Sequence, residues 1–143
     1  MHDILIDQFK KEVTRLGVQE WRTPADVDAV LGTKQGTVLV FVNSVCGCAG
    51  GVARPALALA LQHGVKPDVI ATVFASGDRE ATFRARDYFT GMPPSSPSFA
   101  FLRNGKLEKM IHRSDIEISD AREIAGVLTN AFDTYCVPAS ESR

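Results

Sequence analysis

The chain has 143 residues, 45% of them apolar, with 16 basic and 17 acidic side chains and a net charge of −1. That length suits one domain and is short for two, and a chain of this size buries roughly 68–70% of its unfolded surface, enough for a core without cross-links. Nucleic acid and membrane are both disfavoured as partners: no Lys/Arg cluster interleaves with aromatics, and the longest apolar runs, 38–42 and 55–61, fall far below the roughly eighteen residues of a membrane span.

Taken in order, Leu5, Phe9, Val13 and Leu16 recur at helical spacing with charges between them, which predicts an amphipathic helix over 4–16. The opening Met1-His2-Asp3-Ile4 has no basic or apolar leader, so the expected location is the cytoplasm. Thr23-Pro24-Ala25-Asp26 reads as an N-cap, a proline at the first helical position and an acid at the third, opening a short helix that ends near Gly32. Thr37 to Asn43 is apolar on both faces, as befits a strand in the middle of a covered sheet.

That strand runs into Ser44-Val45-Cys46-Gly47-Cys48-Ala49-Gly50-Gly51 and then an Ala/Leu-rich helix, so two thiols one residue apart sit at a predicted helix start. Free N–H groups and the helix dipole favour a thiolate there, which makes Cys46 a candidate nucleophile. Gly47, lacking a Cβ, can take the backbone angles that a disulfide across one residue demands. In the cytoplasm a close cysteine pair is more often catalytic, redox-sensing or metal-binding than a staple. Arg54-Pro55 should kink the helix about a turn after its start.

Lys66-Pro67-Asp68 turns into a second buried strand over 69–74, and Asp78 is expected to cap a helix carrying Phe83, Tyr88 and Phe89. Three prolines between Pro93 and Pro97 break regular structure. Ser98 to Leu102 and Lys106 to Ile111 flank Arg103-Asn104-Gly105, a hairpin signal. Ser119, Asp120 and Glu123 supply capping chemistry for a last helix with Ile124, Leu128, Phe132 and Tyr135 on one face, and the tail 137–143 reads as frayed.

Parallel strands joined by a helix, then an antiparallel hairpin and a terminal helix, predict one α/β domain over 1–143: a thioredoxin-like three-layer sandwich, its central mixed sheet covered by helices on both faces. The cysteine pair falls at the C-terminal end of a central strand, where open α/β sheets place their sites.

The segments Val42 to Cys48, Ala53-Arg54-Pro55, Tyr88 to Gly91, Pro94 to Ser98 and Ala131-Phe132-Asp133 with Cys136 together closely resemble the bacilliredoxins over nearly the whole chain. The resemblance implies a thioredoxin-like fold and a thiol-disulfide oxidoreductase that removes bacillithiol from mixed disulfides on cytosolic proteins, with a disulfide-isomerase activity also attributed to members. It implies Cys46 as the attacking and Cys48 as the resolving cysteine, with Gly47, Ser96 and Pro97 as substrate-binding positions and Pro97 at the place of a cis-proline. Cys136 is an accessory thiol candidate. The implied partners are bacillithiolated or disulfide-bearing clients and a low-molecular-weight thiol; no cofactor or bound metal is expected, and a homodimer is left open. One departure stands out: a pattern near Arg-His-x-Ile-Glu-Gly is expected where Arg113-Ser114-Asp115-Ile116-Glu117-Ile118 stands, and His112 is a poor substitute for the missing histidine.

Plainer readings stand beside these. The two thiols can be small buried hydrophobes, Cys136 a buried core thiol, Arg54 a surface arginine rather than a charge near the site, and Trp21 a packing residue. Asn43 and Ser44 either bond a thiolate or merely shape the turn. His2 and His63 read as solvated. A metal- or cluster-binding module is the rival from another class, but a structural zinc site takes four ligands and the remaining candidates, Cys136, His2, His63 and His112, lack finger-like spacing.

Overall fold

A computed structural model describes residues 2–136. Its frame is a five-stranded sheet in the order β1-β3-β2-β4-β5. At its centre lies β2 (Thr37–Asn43), buried along its whole length. It pairs in parallel with β3 (Val69–Phe74) and antiparallel with β4 (Ser98–Arg103). β5 (Lys106–Ile111) completes a hairpin with β4 through Asn104 and Gly105, both at positive φ as a type I′ turn requires. The other edge, β1 (Gln19–Glu20), is absent from the sequence reading, because two residues carry no periodicity; only its parallel pairing with β3 makes it a strand.

Helices cover both faces, giving the expected three layers. One face packs α1 (His2–Thr14), α3 (Arg54–Ala60) and α6 (Ala121–Tyr135) against Leu39, Phe41, Phe99 and Phe101. The other packs α2 (Pro24–Leu31) and α4 (Arg79–Asp87) against Val38, Val40, Val42, Ala71 and Val73. Phe41 and Phe99, opposite each other on β2 and β4, stack at 4.7 Å between ring centroids. Trp21 is buried in the second core with its indole N–H on Gln19, in agreement with a packing role.

Helix starts follow the capping chemistry at α2, where Thr23 and Asp26 bond reciprocally, and at α6, where Asp120 and Glu123 do. Asp78 occupies the cap position of α4, but its carboxylate leaves the helix N–H groups and pairs with Lys10 at 2.7 Å. α1 ends two residues earlier than the periodicity suggests. Only Val13 of its apolar stripe is fully buried, Phe9 is half-buried, and Leu5 and Leu16 are exposed. Phe83 on α4 also faces solvent, 61% exposed, while Phe89 is in the core.

The helix in which a kink is expected at Pro55 is irregular there: Gly47 and Cys48 are already helical and α-helical geometry resumes only at Arg54. The chain after the cysteines first winds one wide turn over Ala49–Ala53, closed by the Arg54 N–H on the Ala49 carbonyl, and α3 then starts with Pro55 in its first turn, where a missing N–H is harmless. A short helix, α5 (Arg113–Glu117), follows β5; five residues are too few to show a period in the sequence. The tail 137–143 and the side chain of His2 lie outside the described residues.

Candidate functional site

The buried strand β2 ends at Asn43 and releases the chain into a bend that carries Cys46, and Cys48 follows in the first helical residues. Cys46 and Cys48 are free thiols, both partly exposed, between the exposed Val45 and Gly47 and the buried Ala49. A Cβ on Gly47 would meet nothing within 4 Å and its φ is not positive, so neither crowding nor backbone sign demands glycine in the reduced state.

The two sulfurs differ in acidity. Burial pushes the Cys46 thiol up, but the Ala49 N–H, the Ser44 hydroxyl, the Cys48 N–H and the positive charge of Arg113 outweigh it, and the net shift is downward. Cys48 is pushed up by burial, then by Cys46 beside it and by Glu117, with Arg113 opposing only in part. One thiol is thus prepared to ionise and its neighbour to stay protonated. Such an arrangement can attack a disulfide through one defined cysteine, Cys46.

Ser44 belongs to the site through more than its hydroxyl. Its N–H donates to Asn43 Oδ1 at 2.9 Å and its Oγ accepts from the Cys46 N–H at 3.4 Å. Arg54, read from sequence as a surface residue or a nearby charge, is instead buried, 6% exposed, against the Asn43 amide and the Ser44 carbonyl. A surface position is excluded because its guanidinium spends its donors inward, on the loop before Cys46.

The second wall is the turn leading into β4. The Ser96-Pro97 peptide is cis and Pro97 is buried. Pairing of Val42 with Ser98 holds this turn beside the end of β2. Arg86 donates to the Ser95 carbonyl at 3.2 Å, the Ser98 hydroxyl donates to the same oxygen at 2.9 Å, and Arg113 Nη1 lies 3.5 Å from the Ser96 carbonyl. Arg113 and Glu117, whose charges reach the thiols, were missed as site residues by sequence reasoning. The signal lay in the Arg113-to-Glu117 segment, but nothing in it says that α5 folds over the cysteines.

A model of the disulphide isomerase family matches residues 1–136. A bacilliredoxin of Geobacillus kaustophilus is 51% identical over 136 residues, covering 95% of this chain and 93% of the relative. The chain belongs to the bacilliredoxin family. A bacilliredoxin of Koribacter versatilis is 52% identical over 134 residues, covering 94% of this chain and 92% of its own. Among solved structures, the thioredoxins of Malassezia sympodialis (TM-score 0.58, 16% identity, 84% of this chain and 91% of that one) and Fasciola hepatica (TM-score 0.56, 21% identity, 82% and 99%) share the fold. This member of the bacilliredoxin family is therefore a thioredoxin-like thiol-disulfide oxidoreductase whose partners are thiol- or disulfide-bearing proteins.

Not every candidate residue of this bacilliredoxin-family chain comes together. Cys136 caps the far end of α6, where the Thr37 hydroxyl reaches it. Thr37 opens β2 and Asn43 closes it, a rise of about 20 Å, so Cys136 and Cys46 lie at opposite ends of the strand, too far for direct exchange within one chain. Burial, followed by Asp68 and Asp133, pushes the Cys136 thiol up. His63 is not simply solvated: its Nε2 pairs with Asp133 at 2.8 Å. His112 turns its Nδ1 toward the Ser95 hydroxyl, 3.4 Å away, and Ser114 is exposed. Among the described residues no group of three or more His, Cys, Asp or Glu side chains is placed to hold a metal ion, and no helix is long and apolar enough to cross a membrane.

Proposed function

We propose that the protein removes bacillithiol, or a similar low-molecular-weight thiol, from mixed disulfides on cytoplasmic client proteins, with Cys46 as nucleophile and Cys48 as resolving thiol. The opposite acid shifts of two thiols one residue apart support the division of roles, and the likeness to bacilliredoxins supports bacillithiol as the small thiol.

In the first step the Cys46 thiolate attacks the small-thiol sulfur of the mixed disulfide, and the client sulfur leaves as a thiolate that takes a proton from water. Cys46 now carries the small thiol and has lost its negative charge. That loss removes one of the causes holding Cys48 protonated, so Cys48 becomes easier to ionise when it is needed. Its thiolate attacks the Cys46 sulfur and releases the small thiol, leaving a Cys46–Cys48 disulfide. The mixed disulfide has gained two electrons, ending as client thiol and free small thiol, and this chain has given two. A second dithiol, or two molecules of a small thiol, returns them.

The turn at Ser96 and cis-Pro97 offers the client its docking edge. Pro97 has no N–H to compete for a partner, and the Ser96 carbonyl receives a long contact from Arg113, whose charge also reaches Cys46. Gly47 leaves open space in front of the pair for the incoming disulfide.

A second reading, disulfide isomerisation without preference for a small thiol, is favoured by the description of the matching family model. Mass spectrometry of Cys48→Ala protein after incubation with a bacillithiolated client separates the two. One bacillithiol on Cys46 with free client thiol is the expected result. A client–Cys46 adduct with released bacillithiol supports isomerisation, and no adduct at either sulfur removes Cys46 as nucleophile.

A further inference from the structure

Arg54 is a buried cation that the exchange steps above do not use. Its Nε donates to Glu12 on α1, and its Nη1 donates to both the Asn43 Oδ1 and the Ser44 carbonyl at 3.0 Å. The Phe9 ring lies 4.5 Å from the guanidinium carbon, and a Cβ on Gly50 would come within 2.8 Å of Nη2. The guanidinium is thus enclosed by α1, by the wide turn after the cysteines and by the loop in front of them. Burying a charge in this way is unfavourable unless its partners are held in fixed geometry, and an apolar side chain of similar size would serve packing at least as well.

What the enclosure fixes is Ser44. Its carbonyl is held by Arg54, its N–H by Asn43 Oδ1, and that same oxygen by Arg54 again. Asn43 is tied on its other side, Nδ2 donating to the Phe9 carbonyl at 3.2 Å. With the backbone clamped at both ends, the Ser44 hydroxyl sits where it accepts from the Cys46 N–H at 3.4 Å and lowers the pKa of the Cys46 thiol. Arg113 supplies a positive charge that acts on Cys46 from the opposite wall.

We propose that Arg54 is a positioning residue for Cys46, clamping Asn43 and Ser44 so that the Ser44 hydroxyl is aimed at the Cys46 sulfur, with Glu12 orienting the guanidinium from α1. The inference rests on Cys46 being the nucleophile. It assigns the effect to the fork of the guanidinium: lysine keeps the charge but cannot reach Glu12, Asn43 and Ser44 together.

The test is the pH dependence of iodoacetamide alkylation of Cys46 in full-length protein carrying Cys48→Ala, with folding checked by circular dichroism and urea titration. Arg54→Lys is expected to slow alkylation below the wild-type midpoint about tenfold, the worth of a hydrogen bond to a charged group, and to leave the high-pH plateau unchanged. Ser44→Ala should do the same, and the double variant no more than either alone. A folded Arg54→Lys protein with the wild-type profile overturns the inference, as do additive losses in the double variant or an unchanged profile in Ser44→Ala. Should Arg54→Lys not fold, Glu12→Gln replaces it, with a loss of roughly threefold expected and an unchanged profile counting against the inference. A parent protein whose Cys46 titrates as an ordinary thiol would instead remove the reading of the site itself.

Discussion

Arg113 and Glu117 stand one helical turn apart on α5, Nε to Oε1 3.6 Å, and their charges fall unequally on the two thiols. Arg113 favours ionisation of both, whereas Glu117 acts against Cys48. Five residues that the sequence periodicity could not resolve as a helix therefore help to make one cysteine the better thiolate.

Replacing Arg113 by Gln should slow alkylation of Cys46 below its midpoint by roughly threefold, the scale of one exposed charge interaction. The wild-type advantage should shrink as ionic strength rises from about 0.01 to 1 M, because an exposed pair is screened over a few ångströms at high salt. Equal rates for wild type and Arg113→Gln at low salt would show that this charge does not reach the sulfur.

Cys136 provides the converse case. At the opposite end of β2, it is predicted to be dispensable for exchange within one chain, so Cys136→Ser should release client thiol at the wild-type rate in stopped-flow assays of the bacillithiolated client. A rate reduced in proportion to protein concentration would reveal exchange between copies instead.

Asp28 gives a pH signature in stability. Hydrogen bonds from Tyr88 Oη and then Arg84 Nε, each at 2.7 Å, hold its carboxyl below the usual range. Its folded-state value lies below its unfolded one, so its contribution is complete above about pH 3.9 and is lost as pH falls through the folded value. Urea midpoints of wild type and Asp28→Asn should differ at pH 7 and converge toward pH 2. A constant difference across that range would assign the effect to packing alone.

Two phenylalanines test the layer assignment. Phe99 is buried and stacked on Phe41, and truncation to Ala should destabilise the protein by about 3–5 kcal/mol. Phe83, exposed on α4, should change it by no more than about 0.5 kcal/mol. Urea denaturation of the two variants reads both values, and comparable losses would contradict the exposure of α4.

The sequence by itself determined whatever short-range chemistry controls. The run from Thr37 to Asn43 is apolar on both faces, so it had to be an interior strand, and Asn104-Gly105 supplies the positive φ values of its turn. Thr23 with Asp26 and Asp120 with Glu123 mark helix starts within four residues of chain, and the Cys46–Cys48 spacing at a strand end marks the site. The tertiary structure alone decided what depends on partners distant in sequence. Gln19–Glu20 is a strand only because β3 lies beside it, and Asp78 forgoes its helix because Lys10 comes within reach. Arg54 is buried because α1 brings Glu12 and Phe9 to it, Cys136 is remote because α6 ends beside Thr37, and Arg113 matters because α5 folds over the thiols. Periodicity records which face of an element is apolar; it cannot record which charged side chain the opposite end of the chain will enclose.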